Sequence, residues 1–244
     1  MLMTIYKRAL AVVLKKPIRL WGLSLLSITL TAVLTGLCGF AIPILGMAVS
    51  ILMSTSMTMV FLKGYRGEDV NAVLLFECFK DWKTIKRVLL GMGWMTLWIF
   101  LWGLIPIVGP IFALVRTYQY RLTPYILVYE PEVPITEAIQ ISKKKTHGYK
   151  LQMWLADFVY VLLFIAAVIV LGFLAAIPVL GLLFTLALIV LWIGFVALAP
   201  LFVGLVQAAF YEEINSTAVN FCSGCGHKLG ADAAFCPNCG KPVA

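Results

Sequence analysis

Between Phe158 and Tyr211 the chain runs for 54 residues without a Lys, Arg, Asp or Glu. A second charge-free run, Val88 to Val115, covers 28 residues. One apolar helix needs about 20 residues to cross the hydrocarbon of a bilayer, so the longer run holds two crossings and the shorter one holds at least one. Only 12% of the chain is charged and 62% is hydrophobic. An ordinary soluble domain carries about 25% charged residues. A soluble protein with one large core is the competing reading, and the length of the uncharged runs decides against it. The sequence predicts an all-α polytopic membrane protein.

Within these runs one phrase returns three times: IPILG at 42–46, IPIVG at 105–109 and IPVLG at 177–181. Proline lacks an N–H and disfavours a helical residue before it, and glycine tolerates the angles of a tight reversal. Each phrase is therefore expected to be the tip of a helical hairpin. Six crossings follow: Trp21–Gly39, Ile44–Leu62, Val88–Leu104, Ile111–Tyr129, Leu151–Ala176 and Leu182–Tyr211.

The charges agree with that count. No tip carries a charge, whereas Lys7, Arg8, Lys15, Lys16 and Arg19 precede the first hairpin. Lys63, Arg66, Lys80, Lys83, Lys86 and Arg87 separate the first hairpin from the second, and Lys143, Lys144, Lys145 and Lys150 the second from the third. All of these segments share one side. The positive-inside rule makes that side cytoplasmic, with both termini there, in a multi-pass protein of the cell membrane. The net charge of +8 then points to the anionic inner leaflet as a partner rather than to nucleic acid. The basic N-terminus, broken by Lys15, Lys16 and Pro17, is expected to be retained rather than cleaved as a signal peptide.

Features around the tips recur too. Each hairpin is preceded by an amphipathic segment expected to lie in the interface. The expected apolar faces are Tyr6, Leu10 and Val13; then Ala72, Leu75, Phe76, Phe79 and Trp82; then Ile135, Ala138 and Ile139. Each hairpin leaves through acids: Glu68 and Asp69, Glu130 and Glu132, Glu212 and Glu213. The expected organisation is a helical membrane domain over 1–213, in hairpin units 1–67, 68–132 and 133–213. A linker at 214–220 and a zinc ribbon at 221–244 follow. Repeats of two crossings are parallel, which admits a pseudo-threefold ring.

Three charges fall inside crossings: Arg116 and Arg121 in the fourth, Asp157 in the fifth. Charge at membrane depth is costly and faces protein or water. Two readings stand side by side. These residues form an anion or lipid-headgroup site in a hydrated cavity, or Arg121 and Asp157 lock helices together while Arg116 snorkels. Pro124 and Pro200, each in a Leu-x-Pro phrase, are expected to kink their helices. Gly46, Ser50, Ser54 and Thr58 recur every four residues and are expected to serve close helix packing, within the chain or between copies.

After Asn215 the composition changes. Cys222 and Cys225 form one C-x-x-C pair, and Cys236 and Cys239 form another. Four thiolates in two such pairs close a tetrahedral structural Zn²⁺ site, and a disulfide framework is disfavoured in a reducing cytoplasm. Gly226 and Gly240 follow the pairs and let the backbone turn toward sulfur, while His227 is assigned to the surface and Cys38 and Cys78 to packing. A tail this short depends on the metal to fold. With no open coordination position and no general base, it is a binding or assembly module. Its charges, Lys228 and Lys241 against Asp232, give little support for nucleic acid.

The CxxCG and FCPxCG phrases resemble the short zinc ribbons that end many prokaryotic membrane and regulatory proteins. The stretch TPYILVYEPEVPITEAIQISKKKTHGYKLQMW (123–154) and the closing AAFYEEI resemble a family of uncharacterised bacterial multi-pass membrane proteins. The same residues look related to the membrane domain accompanying some glycerophosphodiester phosphodiesterases. Glu130, Ser142, Gly148, Tyr149, Lys150, Phe210 and Tyr211 carry the pattern, which covers most of the second half. No phosphodiesterase catalytic domain is present, and the resemblance implies no activity.

With neither HExxH nor GxSxG and no paired intramembrane aspartates, an enzyme is not expected. The leading expectation is a non-enzymatic scaffold or regulatory protein that binds a protein partner, or another copy of itself, through the ribbon. The alternative is a transporter or lipid-handling protein built on Arg116, Arg121 and Asp157.

Overall fold

The computed structural model describes residues 2–15, 17–41, 43–177, 181–216, 235 and 238–241. Ahead of the tail the described chain is helical: α1 Leu2–Lys15, α2 Pro17–Ala41, α3 Pro43–Arg66, a 3-10 helix Ala72–Phe79, α4 Trp82–Gly103, α5 Gly109–Gln119, α6 Thr123–Tyr129, α7 Ile135–Lys145, α8 Lys150–Ala175 and α9 Gly181–Ser216. Among the described residues five helices are long and apolar enough to cross a membrane: α2, α3, α4, α8 and α9. They correspond to predicted crossings one, two, three, five and six. The fourth is different. Ile111–Tyr129 is not one helix but α5 and α6, separated by a turn at 120–122. The 11 residues of α5 rise only about 16 Å, roughly half of the hydrocarbon thickness.

Proline explains the break. Pro124 stands in the first turn of α6, where its missing N–H costs nothing. The Tyr120 carbonyl instead accepts a tight-turn bond from Thr123 N at 3.0 Å. Pro200, predicted to act alike, lies inside an unbroken α9.

Helices pair as α2 with α3, α4 with α5 and α8 with α9. At the second tip, the backbone angle once expected of glycine falls on Ile107, with φ +67° and 93% exposure. The glycine serves another need. A Cβ on Gly109 would fall 2.6 Å from the Trp102 carbonyl oxygen, and one on Gly181 would fall 2.6 Å from that of Ala175. In both tips the returning helix starts against the last carbonyls of the outgoing one, and only hydrogen fits between. Ile42 and residues 178–180, the remainder of two tips, lie outside the described residues.

The core sits at the end of the hairpins away from the tips, here termed the base. It gathers Ile5 and Ala9 of α1, Met53, Met57, Val60 and Leu62 of α3, Tyr125–Leu127 of α6, Met153 and Ala156 of α8, and Leu201, Leu205, Phe210 and Ile214 of α9. Beyond the base the helices are bare: Phe158, Leu163, Ile169 and Phe173 of α8 and Leu182, Val190 and Val196 of α9 are exposed. The stretch Phe158–Ala175 rises about 27 Å and Gly181–Pro200 about 30 Å, which match a hydrocarbon core of about 30 Å.

Two of the three amphipathic faces differ from expectation. The segment before α4 is a 3-10 helix with three residues per turn, so Leu75 and Cys78 share the buried face while Phe76 and Trp82 are exposed. Burial raises the Cys78 thiol above its ordinary range, so it packs as an apolar group. In α1 the buried positions are Ile5 and Ala9, and Leu10 is exposed. In α7, Ala138 and Ile139 are buried as predicted, joined by Ser142. The acidic exits hold the base in register: Glu213 with Arg8 at 2.9 Å, Glu212 with Arg66 at 2.7 Å and Glu130 with Lys145 at 3.1 Å. Each is partly exposed, so each contributes at most about 1 kcal/mol. Of the small-residue stripe on α3, Gly46 is buried, whereas Ser50 and Ser54 edge a groove toward Ser27, Thr31 and Thr35 of α2.

The tips give a direct test. Gly109→Ala is expected to destabilise the protein by about 1–3 kcal/mol, the usual range for overpacking against atoms that cannot move aside. Gly103→Ala, whose added Cβ meets only the Ala113 Cβ at 3.9 Å, is expected to be nearly neutral. Thermal unfolding of both variants in one detergent reads the difference.

Candidate functional site

The turn at 120–122 leaves backbone groups without helical partners, and α7 supplies them. Ser142 Oγ accepts from Leu122 N at 3.2 Å and donates to the Gln119 carbonyl at 2.9 Å. Thr146 Oγ1 donates to the same carbonyl at 3.1 Å. Both hydroxyl residues are fully buried. A buried polar group without a partner costs about 1–3 kcal/mol, so this repair is what makes a broken helix tolerable here.

Arg121 stands in that turn. Its Nη2 donates to Asp157 Oδ1 at 3.1 Å and its Nη1 donates to Oδ2, giving the two-point geometry that suits guanidinium and carboxylate. Asp157 Oδ2 also accepts from the Tyr118 hydroxyl at 3.0 Å, and the guanidinium carbon lies 5.0 Å from the centre of the Tyr118 ring. Gln207 of α9, with its amide oxygen toward the guanidinium, accepts from Nη2 at 2.7 Å and Nε at 3.3 Å. The Arg121 and Asp157 side chains are 14% and 27% exposed. The knot thus ties α5, the turn, α8 and α9. On its α1 side, Tyr6 donates to the carbonyl of Ala156. Burial first, and the charge of Asp157 second, push the Tyr6 hydroxyl above its ordinary pKa, so it remains a donor across neutral pH.

The space beside this knot, lined by Arg121, Met153, Asp157, Val206 and Gln207 among others, has a volume of about 10 Å³. That is about one water. Each guanidinium nitrogen of Arg121 has a protein oxygen as partner, so the pair has the form of a helix lock.

Arg116 is elsewhere. It donates to Gln119 Oε1 at 2.8 Å and lies 5.0 Å from the ring centre of Trp102. It faces a groove of about 390 Å³ shared with Trp94, Trp98, Gln140 and Lys143. The three charges predicted as one site are therefore two places: Arg121 with Asp157 at the knot, and Arg116 in a tryptophan groove. Ser142, Thr146 and Gln207 were missed because each acts across the fold on a backbone break or a charge that no local pattern reveals. The tryptophans at i, i+4 and i+8 were a signal available in the sequence.

Of the four cysteines expected to bind zinc, Cys222, Cys225 and Cys236 lie outside the described residues, as do Gly226, His227 and 217–220 of the linker. Among the described residues no group of three or more His, Cys, Asp and Glu could hold a metal. Cys239 is exposed in a turn, and Gly240 has φ +71°. That left-handed angle lets the chain fold back on the cysteine, as a C-x-x-C-G metal knuckle requires. The donor set of four cysteines and the glycine geometry both fit zinc.

Removing one partner of the knot leaves an uncompensated charge. Asp157→Leu is expected to destabilise toward the lower end of roughly 3–5 kcal/mol, because the pair is partly exposed. Arg121→Leu combined with Asp157→Leu is expected to recover most of that loss, which thermal unfolding of the singles and the double will show.

Compared with known proteins, residues 221–243 match the zinc-ribbon domain family. No curated protein and no solved structure matches the chain. The tail of this chain is a zinc-ribbon domain, joined to a helical part with several membrane-length apolar helices.

Proposed function

We propose that this protein is a non-enzymatic membrane scaffold that holds a zinc ribbon at the cytoplasmic surface as a docking module for a protein partner. The observation that carries the reading is the end of α9. Phe210, Tyr211 and Ile214 are buried in the base, so the chain leaves the membrane part from its ordered end and not from the bare tips. Cys222, Cys225, Cys236 and Cys239 are the ligands in this reading, and zinc supplies the ribbon with the core it is too small to build.

The short second hairpin does not alter the sidedness. A hairpin returns the chain to the face it left, whether its tip traverses the bilayer or stops within it. Basic segments at the base then favour the cytoplasm. Several of the residues that carry the resemblance to membrane domains accompanying glycerophosphodiester phosphodiesterases have structural roles in this chain. Ser142 stitches the helix break, Glu130 pairs with Lys145, and Tyr211 stacks on Tyr125 at 4.6 Å. Such residues maintain an architecture rather than a reaction. The filled knot at Arg121 and Asp157 favours this scaffold over a transporter with an ion path through those groups.

The test is native mass spectrometry of the gently extracted full chain beside a Cys222→Ser, Cys225→Ser, Cys236→Ser, Cys239→Ser variant. The wild type is expected to carry one zinc per chain together with a stoichiometric partner protein. The variant is expected to lose both while keeping its helical circular dichroism and its Tm in detergent. An unchanged partner complement in the zinc-free variant would overturn the docking role.

A further inference from the structure

The groove on the α4–α5–α7 side has a composition that neither the helix lock nor the ribbon uses. Trp94, Trp98 and Trp102 recur every four residues on α4 and form one wall. Trp94 and Trp98 pack edge to face, with ring centres 5.8 Å apart. The opposite rim is Arg116 of α5 with Gln140 and Lys143 of α7. No Asp or Glu lines it.

The two cations contrast with their neighbours. Arg121 has Asp157 and Lys145 has Glu130. Among the described residues, Arg116 has only the neutral Gln119 amide and the face of Trp102, and Lys143 forms no ion pair. An arginine on a membrane helix is costly unless it reaches water or an anion. Arg116 is one helical turn from Gln119, whose carbonyl is fixed to Ser142 of α7. It therefore lies within about 5 Å along the axis of the level where the charged α7 ends the apolar zone.

The geometry points to a binding site for one anionic phospholipid. Its phosphate sits between Arg116 and Lys143, Gln140 donates to the headgroup or glycerol oxygens, and an acyl chain lies along the tryptophan wall toward the IPIVG tip. Charge selects the occupant: two cations with no lining carboxylate reject a cationic or neutral headgroup in favour of an anionic one. The shape selects a lipid over a free anion, because the groove continues from the cations onto an apolar aromatic face. Phe112 and Arg116 of α5 pack on Trp102, and a half-length α5 leaves Trp94 and Trp98 exposed. The site rests on the membrane-embedded reading but is independent of the ribbon.

The full chain is reconstituted in nanodiscs holding equal amounts of phosphatidylglycerol and phosphatidylcholine, then released and weighed by native mass spectrometry. Wild type is expected to retain one phosphatidylglycerol in preference to phosphatidylcholine. Lys143→Gln, at an exposed position that does not threaten folding, is expected to lower that occupancy about fivefold, and Arg116→Gln by a similar factor. Lys144→Gln makes the same charge change outside the groove and is expected to leave occupancy unchanged. An equal loss in Lys144→Gln, no preference in wild type, or full retention in Lys143→Gln and Arg116→Gln overturns the site. Displacement of the lipid by 10-fold excess inorganic phosphate would show a plain anion site and overturn the lipid as occupant. A chain that stays monodisperse without detergent would overturn the membrane reading, and this site with it.

Discussion

The helix break at 120–122 is the constraint around which the base of this protein is built. Backbone polar groups away from water must find partners, and a break in an apolar helix exposes several at once. Here Ser142 and Thr146 satisfy them from α7, while Arg121 in the same turn holds Asp157 on α8 and Gln207 on α9. One local interruption thereby fixes the positions of three other helices. Tyr6 brings a fourth, α1, onto the carbonyl next to Asp157. The apolar core then fills the space that these polar contacts define, with Tyr125 on Tyr211 and Leu127 within it.

Such a division of labour suits a solvent without water. Away from the base, lipid is as apolar as leucine, and apolar side chains gain little by leaving it for one another. The bare outer halves of α8 and α9 show no drive to bundle beyond their own pairing, where Phe164 stacks with Phe195 and Tyr160 with Phe202. Cohesion comes from the end where hydrogen bonds, ion pairs and buried side chains coincide. The base is also where α9 delivers the zinc-ribbon domain.

Much of this was legible in the sequence, and the exceptions have physical causes. Uncharged runs and the IPxxG phrases located five long helices to within a residue or two at the tip and up to six residues short at the base, because the helices continue past the apolar run into charged turns. The fourth crossing failed because its apolar composition says nothing of whether its hydrogen bonds continue. Leu-x-Pro occurs at the start of α6 and inside α9, and at the first the freed backbone groups find partners in Ser142 and Thr146. The 3-10 segment before α4 failed differently: a period of three and one of 3.6 part by about 20° per residue, so over this segment the same apolar side chains fall on another face, and packing chose between the two. Pairing of Arg121 with Asp157 could be read from depth counting. The separation of Arg116 from them could not, since it depends on which way α5 faces.

The tips carry one more consequence. Their turns are built from Ile, Pro, Val, Leu and Gly, and in the second of them Ile107 points freely outward. A hairpin with such an apex has no hydrophilic loop to haul through the bilayer during biogenesis. Placing such an apex in hydrocarbon would cost only its backbone polar groups, and at the second tip Val108 N and Gly109 N already bond the carbonyls of Pro106 and Ile105.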